Sequence, residues 1–448
     1  MGPQGLVADG VAEFQDPEAR GYSSNGGLQA LWLSRNGALE WADSDAFVRG
    51  VGLDLSFQRM WRSSVTTYDG PLGNQWEFTW NKRLFEESDN DVVFHEMGRK
   101  ETYNEASGTY SSPAGRYDTL AKDTGPNPDI FTRTDKYGVV ETYEDEGSGW
   151  YRLTEIEDTN DNALTFAYDT NAKLTAVTDT LARDTTLAYD TNGRITKITD
   201  PASREWDYLY DGSGNLTQVN DAEDAAWKYH YDASDRMTAI EQPTDGGTPY
   251  LAFEYDTSTS PKQITKQTVN GGAYLLDHVT GGVTVTDPLA SSNDILYEYD
   301  ANRMITSRKV NTVPPGGFKE TTYSYNSDGE VTLVEFPRAN QVAYTYDGSG
   351  NVTTLEVRAN SSDTVNPPRW TYTYTSLNRV STITDPIGNT WDYDHDADGN
   401  VTARTAPAVT SPSGIASTDK NGNGINDGTI SESYEYNSSG LMTKRTDA

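Results

Sequence analysis

The chain of 448 residues contains no cysteine, only four histidines and no long apolar run. Without cysteine there are no disulfides, so an exported chain of this kind must gain its stability from strand pairing and burial. No stretch approaches about 18 apolar residues, which argues against a membrane-spanning helix. The first residues, Met1-Gly2-Pro3-Gln4, lack the basic and apolar regions of a signal peptide.

Basic residues are also scarce relative to acidic ones. The chain has 35 Lys and Arg against 68 Asp and Glu, for a net charge of −33. Such a surface repels phosphate backbones and anionic lipid headgroups, so nucleic acid and membrane surfaces are poor partners. The composition suits a secreted, extracellular or cell-surface protein whose partners are cations or basic polypeptides.

Aromatic and turn-forming residues are abundant. There are 28 Tyr, 11 Phe and 10 Trp, together with 39 Gly and 19 Pro, while only 35% of the residues are hydrophobic. Many short strands joined by tight turns produce this combination.

The dipeptide Tyr-Asp recurs at a fixed spacing. It begins at positions 168, 189, 210 and 231, which are 21 residues apart, and continues less regularly as far as Tyr436-Asn437. A fixed period of this size is typical of a repeat architecture.

Each repeat has the same internal order of residue types. An aromatic or apolar residue stands two positions before the tyrosine, on the same face of a strand. The examples are Tyr208, Tyr229, Phe253, Tyr297, Tyr323, Tyr344, Tyr372, Trp391 and Tyr434.

The residues after the tyrosine predict a turn and a second strand. The Asp side chain is expected to accept a hydrogen bond from the N–H two residues on, and a Gly or Asn permits positive φ. Apolar residues of the second strand, such as Ile195 and Ile198, are three positions apart, which a β-bulge or two-sided burial would explain. Asp-Pro then ends the strand, as at Asp200-Pro201.

This pattern resembles the YD repeats of RHS proteins, teneurins and the B component of insecticidal toxin complexes, over about residues 150–448. Residues 47–62 and 70–76 look like the leader strands of an RHS shell. The resemblance implies an all-β fold, with a ribbon of YD/RHS-repeat β-hairpins wound into a spiral, hollow or partly open shell. It also implies a toxin-like C-terminal cargo inside that shell.

The chain departs from the family pattern near its end. The conserved closing region with an aspartate self-cleavage motif is not evident, and no cargo segment follows residue 448. Residues 385–392 look superficially like that motif, but they occupy the same place in their repeat as residues 200–207. We therefore interpret them as an ordinary strand end.

Three regions are expected from these patterns. Residues 1–40 form an opening segment, residues 41–150 an irregular RHS-like β region, and residues 151–448 the YD-repeat shell. A Ser-, Thr-, Asn- and Gly-rich loop insertion is predicted at 406–430 within the shell.

One motif outside the repeat predicts a metal site. Oxygen ligands alternate from position 419 as in an EF-hand-like calcium loop, with Gly424 making the sharp turn. The predicted Ca²⁺ ligands are Asp419, Asn421, Asn423, the carbonyl of Ile425, and Asp427. At the last ligand position Ile430 replaces the usual acid, and a flexible Asn-Gly linker is the alternative interpretation.

The remaining polar residues indicate no catalytic site. None of the four histidines (His95, His230, His278 and His395) has zinc-ligand spacing, and His230 is expected to be a hydrogen-bonded strand residue. The carboxylates alternating from Asp392 to Asp398 are best explained by the repeat itself. No catalytic residue and no organic cofactor is predicted.

Two functions from different classes follow. The first is a non-enzymatic shell that encloses and protects a polypeptide cargo in a secreted toxin-type protein. The alternative is a cell-surface adhesion or glycan-binding module of teneurin-like type, and a carbohydrate-active enzyme is a third class. A large internal cavity would favour enclosure, a shallow aromatic groove on the outer face adhesion, and two isolated carboxylates in a cleft an enzyme.

Overall fold

The computed structural model describes most of the chain from residue 39 onward. The described ranges are 32–33, 39–63, 69–125, 128–243, 246–256, 258, 263–269, 271–286, 294–302, 304–311, 318–363, 365–407 and 431–447. Within them the regular structure is β-strand throughout, and no helix long and apolar enough to cross a membrane occurs.

The strands fall into three groups along the chain. The N-terminal strands are β1 (Trp32–Leu33), β2 (Leu39–Val48), β3 (Leu55–Arg62), β4 (Asp69–Gly70), β5 (Gly73–Asn74) and β6 (Trp76–Phe78). The next are β7 (Arg83–Glu86), β8 (Val92–Glu96), β9 (Arg99–Ala106), β10 (Thr109–Ser111), β11 (Thr119–Asp123), β12 (Ile130–Thr134), β13 (Val140–Gly147) and β14 (Trp150–Glu157).

The repeat strands are β15 (Ala163–Tyr168), β16 (Leu174–Thr178), β17 (Asp184–Tyr189), β18 (Ile195–Thr199), β19 (Glu205–Tyr210), β20 (Leu216–Asn220), β21 (Ala226–Tyr231), β22 (Met237–Glu241), β23 (Leu251–Asp256), β24 (Gln263–Val269), β25 (Gly272–Val279), β26 (Gly282–Thr286), β27 (Ile295–Tyr299), β28 (Ile305–Asn311), β29 (Phe318–Tyr325), β30 (Val331–Glu335), β31 (Gln341–Tyr346), β32 (Val352–Arg358), β33 (Arg369–Tyr374), β34 (Val380–Thr384), β35 (Thr390–His395), β36 (Val401–Thr405), β37 (Ser431–Tyr436) and β38 (Met442–Thr446).

The strands build one small sheet and one long ribbon. Strands β1, β2, β3 and β6 pair antiparallel, in that order, into an N-terminal sheet. From β11 to β38 each strand pairs antiparallel with the next one along the chain. Among the described residues, β38 pairs with β37, while β7 pairs with β8 and β14. The ribbon therefore forms an open, spiral shell rather than a closed one.

Local hydrogen bonds shape the turn of each repeat. In the hairpin of β17 and β18, one carboxylate oxygen of Asp190 accepts the N–H groups of Asn192 (2.8 Å) and Arg194 (2.9 Å). The other accepts the Nε–H of Arg194 at 3.0 Å, and Gly193 takes a φ of +87° that favours glycine. The hydrogen bond predicted from the sequence is thus confirmed, with two further ones added.

A β-bulge accounts for the apolar spacing of the second strand. Tyr189 lies opposite Ile195 and Ala188 opposite Lys197, so Thr196 is the extra residue. The bulge brings Ile195 and Ile198 to the same buried face although they are three positions apart. The Thr196 hydroxyl donates to the Ala188 carbonyl oxygen at 3.3 Å, and the same bulge recurs in later hairpins.

In eight of the described repeats the tyrosine links its hairpin to the one before it. The Tyr189 hydroxyl donates to the carbonyl oxygen of Leu174, the first residue of β16, at 2.7 Å. The same bond joins Tyr210 to Ile195 and Tyr346 to Val331, each at 2.7 Å. Because the tyrosine belongs to the following hairpin, these bonds reinforce the ribbon between hairpins as well as within them.

Contacts between distant turns define the winding of the ribbon. The Lys136 ammonium donates to the carbonyl oxygen of Ser349, 213 residues further on, at 3.3 Å. The Asn400 side-chain amide donates to Asn160 Oδ1, 240 residues away, at 2.7 Å, and Asn162 bonds the carbonyl of Ser439 at 3.2 Å. These contacts hold one part of the ribbon against another through residues that are 213 to 277 positions apart along the chain.

Candidate functional site

The repeats place a row of aromatic residues on one side of the ribbon. We define the aromatic face by the residues that stand two positions before the repeat tyrosine or its equivalent. They are Phe166, Leu187, Tyr208, Tyr229, Phe253, Tyr297, Tyr323, Tyr344, Tyr372, Tyr393 and Tyr434. Because side chains alternate along a strand, the repeat tyrosines lie on this face as well.

The N-terminal sheet covers the first part of the aromatic face. The Phe57 ring lies 6.2 Å from that of Tyr208, and the Trp76 ring meets Tyr229 edge-on at 5.1 Å. Trp76 also donates its indole N–H to the Tyr231 hydroxyl at 2.9 Å. From Phe166 to Tyr297 every residue of the face is 8% exposed or less.

A buried charge cluster joins the sheet to the repeats. Arg59, fully buried on β3, donates to Asp43 at 2.8 Å and to the Tyr229 hydroxyl at 2.6 Å, and it is also paired with Asp45. Burial opposes the charge of Arg59, but the Tyr229 and Asp43 groups outweigh it and raise the Arg59 pKa. The charged guanidinium therefore joins both layers. The sequence did not reveal this cluster, because its members lie far apart along the chain.

The later part of the aromatic face keeps access to solvent. Tyr323, Tyr344 and Tyr372 are all only half-buried, as are the aliphatic residues opposite them. Tyr344 lies opposite Leu355, and Tyr372 opposite Ile383.

Two tryptophans extend this band. Trp370 lies opposite Leu355, and Trp391 opposite Ile383. Cross-strand pairs of aromatic and aliphatic residues each stabilise a sheet by about 0.2–1 kcal/mol. The result is a continuous band, over β29–β36, of half-exposed rings, aliphatic groups and hydroxyls. Such a band can bind through many weak contacts and does not require a single pocket.

The predicted calcium ligands lie outside the described residues. This applies to the whole set of Asp419, Asn421, Asn423, Ile425 and Asp427. In the parts of the chain that the structure describes, no group of three or more His, Cys, Asp or Glu side chains is arranged to hold a metal ion.

The histidines in the strands make ordinary structural contacts. His230 Nε2 lies 2.7 Å from Glu241 Oε1, and His278 Nε2 lies 2.6 Å from the carbonyl oxygen of Ile264. Burial first, and then the charges of Lys100 and Arg83, lower the pKa of His95 to about 4.

The repeat containing His395 differs from the one expected. The sequence placed the repeat pair at Tyr393-Asp394, with Trp391 two positions before it. In the structure His395 lies opposite Val401, the position of the repeat tyrosine, and Asp396 forms the turn. The sequence-based assignment was wrong by two residues. The register of the hairpin follows from the turn, in which Asp396 accepts the N–H groups of Asp398 and Asn400, and not from the Tyr-Asp pair.

The segment that looks superficially like a self-cleavage motif is an ordinary turn. Asp385 accepts the N–H groups of Ile387 and Asn389 at 2.9 Å each and the side-chain amide of Asn389 at 2.7 Å. Asp200 makes equivalent bonds in its own turn. The interpretation of residues 385–392 as a strand end is therefore confirmed.

The geometry defines the class of protein: a ribbon of antiparallel hairpins with a repeated Tyr-Asp turn, wound as an open spiral. Family comparison matches residues 173–205, 189–226 and 210–248 to the RHS Repeat and residues 247–414 to the Teneurin YD-shell. Residues 36–103 match a domain of unknown function, DUF6531. The chain is therefore a YD/RHS-repeat protein, as its sequence predicted.

Several solved structures resemble the chain at low sequence identity. One is the Tc holotoxin pore of Photorhabdus luminescens, with 12% identity, a TM-score of 0.42, and coverage of 92% of this chain and 25% of that chain. Another is TcdB2-TccC3 without its hypervariable C-terminal region, with 11% identity, a TM-score of 0.44, and coverage of 92% and 26%. This chain thus spans about a quarter of those solved chains. The comparison with curated proteins found no match.

Proposed function

We propose that this chain is the wall of a shell that encloses a polypeptide cargo in an exported, toxin-type protein. The half-exposed part of the aromatic face, from Tyr323 onward, is the surface on which the cargo lies. One observation carries the proposal: the same row of positions is buried under the N-terminal sheet in the first repeats and left half-exposed in the later ones.

The chemistry of this surface supports a polypeptide occupant. An unfolded or partly folded chain offers backbone amides and mixed side chains, which hydroxyls, rings and aliphatic groups can contact without a specific pocket. The net charge of −33 favours a cargo that is neutral or basic.

The wall itself has the properties that enclosure requires. Continuous strand pairing leaves few free sheet edges, and bonds between turns, such as that from Asn400 to Asn160, fasten one revolution to the next. The wall would act sterically and not as an enzyme. This agrees with the matches to the RHS Repeat and the Teneurin YD-shell, which are repeat and shell families. An extracellular location agrees with the same families. The adhesion alternative rests on the teneurin likeness alone, and no feature of the described residues favours it.

The test is binding of a permanently unfolded, basic model polypeptide. Trp370 and Trp391 lie on the proposed surface, so their fluorescence should change saturably as the polypeptide is added. Tyr372→Glu places a carboxylate on this surface and should weaken binding about tenfold, a loss of ~1.4 kcal/mol.

The control is Thr373→Glu on the neighbouring position. Thr373 is exposed and points to the opposite side of the strand, so this variant carries the same added charge away from the aromatic face. It should bind within about twofold of the wild type. Equal weakening by both variants, or no fluorescence change with the wild type, contradicts the proposal.

A further inference from the structure

A cavity of ≈ 420 Å³ lies where the chain after β6 meets the first Tyr-Asp turns, away from the half-exposed part of the aromatic face. Its lining includes two arginines of neighbouring strands, Arg83 on β7 and Arg152 on β14. These residues lie directly opposite each other in the antiparallel pair. Like charges in that position repel, so the pairing is unfavourable unless something compensates for it.

Each arginine is held in place by an aromatic ring. The Arg83 guanidinium carbon lies 4.8 Å from the centre of the Trp150 ring, and that of Arg152 lies 4.8 Å from the Tyr168 ring. Stacking of this kind fixes the plane of a guanidinium and leaves its edge free to bind.

Glu144 lies opposite Arg152 on the other neighbouring strand, β13, but neither arginine forms a close ion pair among the described residues. No carboxylate there lies within 4.0 Å of the Arg83 or Arg152 nitrogens. The Nε atom of each is buried and makes no hydrogen bond with the described residues. Buried donors are nearly always hydrogen-bonded in proteins, so this pair is exceptional.

The arginine two repeats further on shows the usual arrangement. The Arg194 guanidinium carbon lies 4.8 Å from the Tyr210 ring, the same distance as Arg152 from Tyr168. Arg194, however, donates its Nε–H to Asp190 at 3.0 Å. The arginines in the cavity thus differ from an equivalent one in lacking a close ion pair.

We propose that Arg83 and Arg152 form a binding site for a small oxyanion, a carboxylate or a phosphate group, within this cavity. Guanidinium groups bind both anions through paired hydrogen bonds, and an anion between the two arginines would relieve their repulsion. The cavity volume lies in the range of small-ligand sites, about 300–1,000 Å³. The site is distinct from the surface proposed for cargo.

The other residues of the cavity suit an organic anion. Lys173 and Lys82 also line the cavity, although Lys82 is already paired with Glu96 and Glu141, and Trp80 and Tyr168 supply apolar surface. Glu146 also lines the cavity and opposes an anion, so Glu146→Gln should strengthen binding.

The experiment is calorimetric titration of the full chain with inorganic phosphate and, separately, glucuronate, at an ionic strength held constant with sodium chloride. The expected result is saturable binding of at least one of them at a single site. Phosphate binding alone indicates a phosphorylated ligand, and glucuronate binding alone a carboxylate ligand.

Variants decide whether the arginines form the site. Arg152→Met should weaken binding at least tenfold, while Arg194→Met, which removes an equally stacked arginine outside the cavity, should leave it unchanged. If Arg152→Met does not fold, Arg152→Lys replaces it in the test, because lysine keeps the positive charge but lacks the paired donors of the guanidinium group. No saturable heat with either anion, or equal losses in the Arg152 and Arg194 variants, overturns the proposal. The polypeptide-binding test of Tyr372→Glu is unaffected by either outcome.

Discussion

At the scale of single residues, the turn aspartate does most to define the repeat. In the turns at Asp190 and Asp200 the carboxylate accepts backbone N–H groups two and four residues on, together with the Nε–H of an arginine. Partial burial would raise the pKa of Asp190, but the hydrogen bonds from Arg194 lower it overall. The carboxylate therefore stays ionised in its accepting form at neutral pH.

His395 takes the place of the repeat tyrosine in the hairpin of β35 and β36. In the hairpins of Tyr346 and Tyr374 the tyrosine hydroxyl reaches the first residue of the preceding second strand, which here is Val380. The Nδ1 atom of His395 is instead buried without a hydrogen-bond partner.

We predict that His395→Tyr stabilises the protein, because it restores a hydroxyl donor for the Val380 carbonyl. The expected gain is about 1 kcal/mol, the usual net value of one such bond. Urea unfolding of the wild type, His395→Tyr and His395→Phe measures it. The phenylalanine variant supplies the ring without the donor and should gain less; equal stability of the two variants would contradict the proposed bond.

Glu141 gives a prediction about acid stability. It accepts hydrogen bonds from Lys82, Arg133 and Tyr143, each at 2.7 Å. Burial alone would raise its pKa, but the charges of Lys82 and Arg133 outweigh burial and lower the pKa from 4.5 to about 2. A carboxyl whose folded pKa is lowered stabilises the protein above its unfolded pKa and loses that contribution as the pH falls through the folded value.

Glu141→Gln should therefore be destabilising at pH 7 by roughly 3 kcal/mol, since it removes the carboxylate that Lys82 and Arg133 share and leaves each cation with one acid, Glu96 and Asp118 respectively. The difference from the wild type should shrink between about pH 4.5 and pH 2, the interval in which the wild-type carboxyl takes up its proton. Urea midpoints at several pH values test this. Glu205→Gln, in an exposed pair with Lys197, is the control and should show no such trend.

At the scale of elements, the hairpin was the most predictable feature. Its strands, turn and bulge depend on residues within one period, such as Asp190, Gly193 and the pair Ile195 and Ile198. The bond from each repeat tyrosine to the preceding hairpin was not predicted, because it depends on how far apart neighbouring hairpins lie and not on the period alone.

The loop insertion between β36 and β37 carries the calcium prediction. If Asp419, Asn421, Asn423, Ile425 and Asp427 bind Ca²⁺, calorimetric titration of metal-free protein should give saturable heat. Asp419→Ala should abolish that heat, because the first carboxylate of such a loop is a direct ligand. Asp396→Ala, in a turn whose carboxylate already accepts backbone N–H groups, is the control. An unchanged titration of Asp419→Ala would rule out this site.

At the scale of the whole molecule, the contacts between residues more than 200 positions apart that are described above all join turns. Asn400 joins both levels of structure. Its side-chain amide donates to Asp396 within its own turn at 3.0 Å and to Asn160 of the preceding revolution at 2.7 Å.

We predict that Asn400→Ala loosens the shell locally. Amide hydrogen exchange should become faster in the turns at 158–162 and 396–400, with little change in overall unfolding, since repeats contact mainly their neighbours. Asn389→Ala is the matched control, because it removes the equivalent bond within a turn, to Asp385 at 2.7 Å, and no bond to another revolution among the described contacts. Faster exchange at 158–162 in the control would show that the contact with Asn160 is not responsible.

The sequence by itself determined the hairpin repeat of this protein and its turn aspartates, because those features follow from interactions between residues close together in the chain. It left a bulge and two-sided burial open as explanations of the spacing of Ile195 and Ile198, and the strand register decided for the bulge at Thr196. Only the tertiary structure decided which part of the aromatic face is covered, since Trp76 meets Tyr229 through the curvature accumulated over many hairpins. The same holds for Arg83 and Arg152, which the strand pairing brings together from distant positions. Local periodicity carries no information about such pairings, because they depend on the path of the whole ribbon.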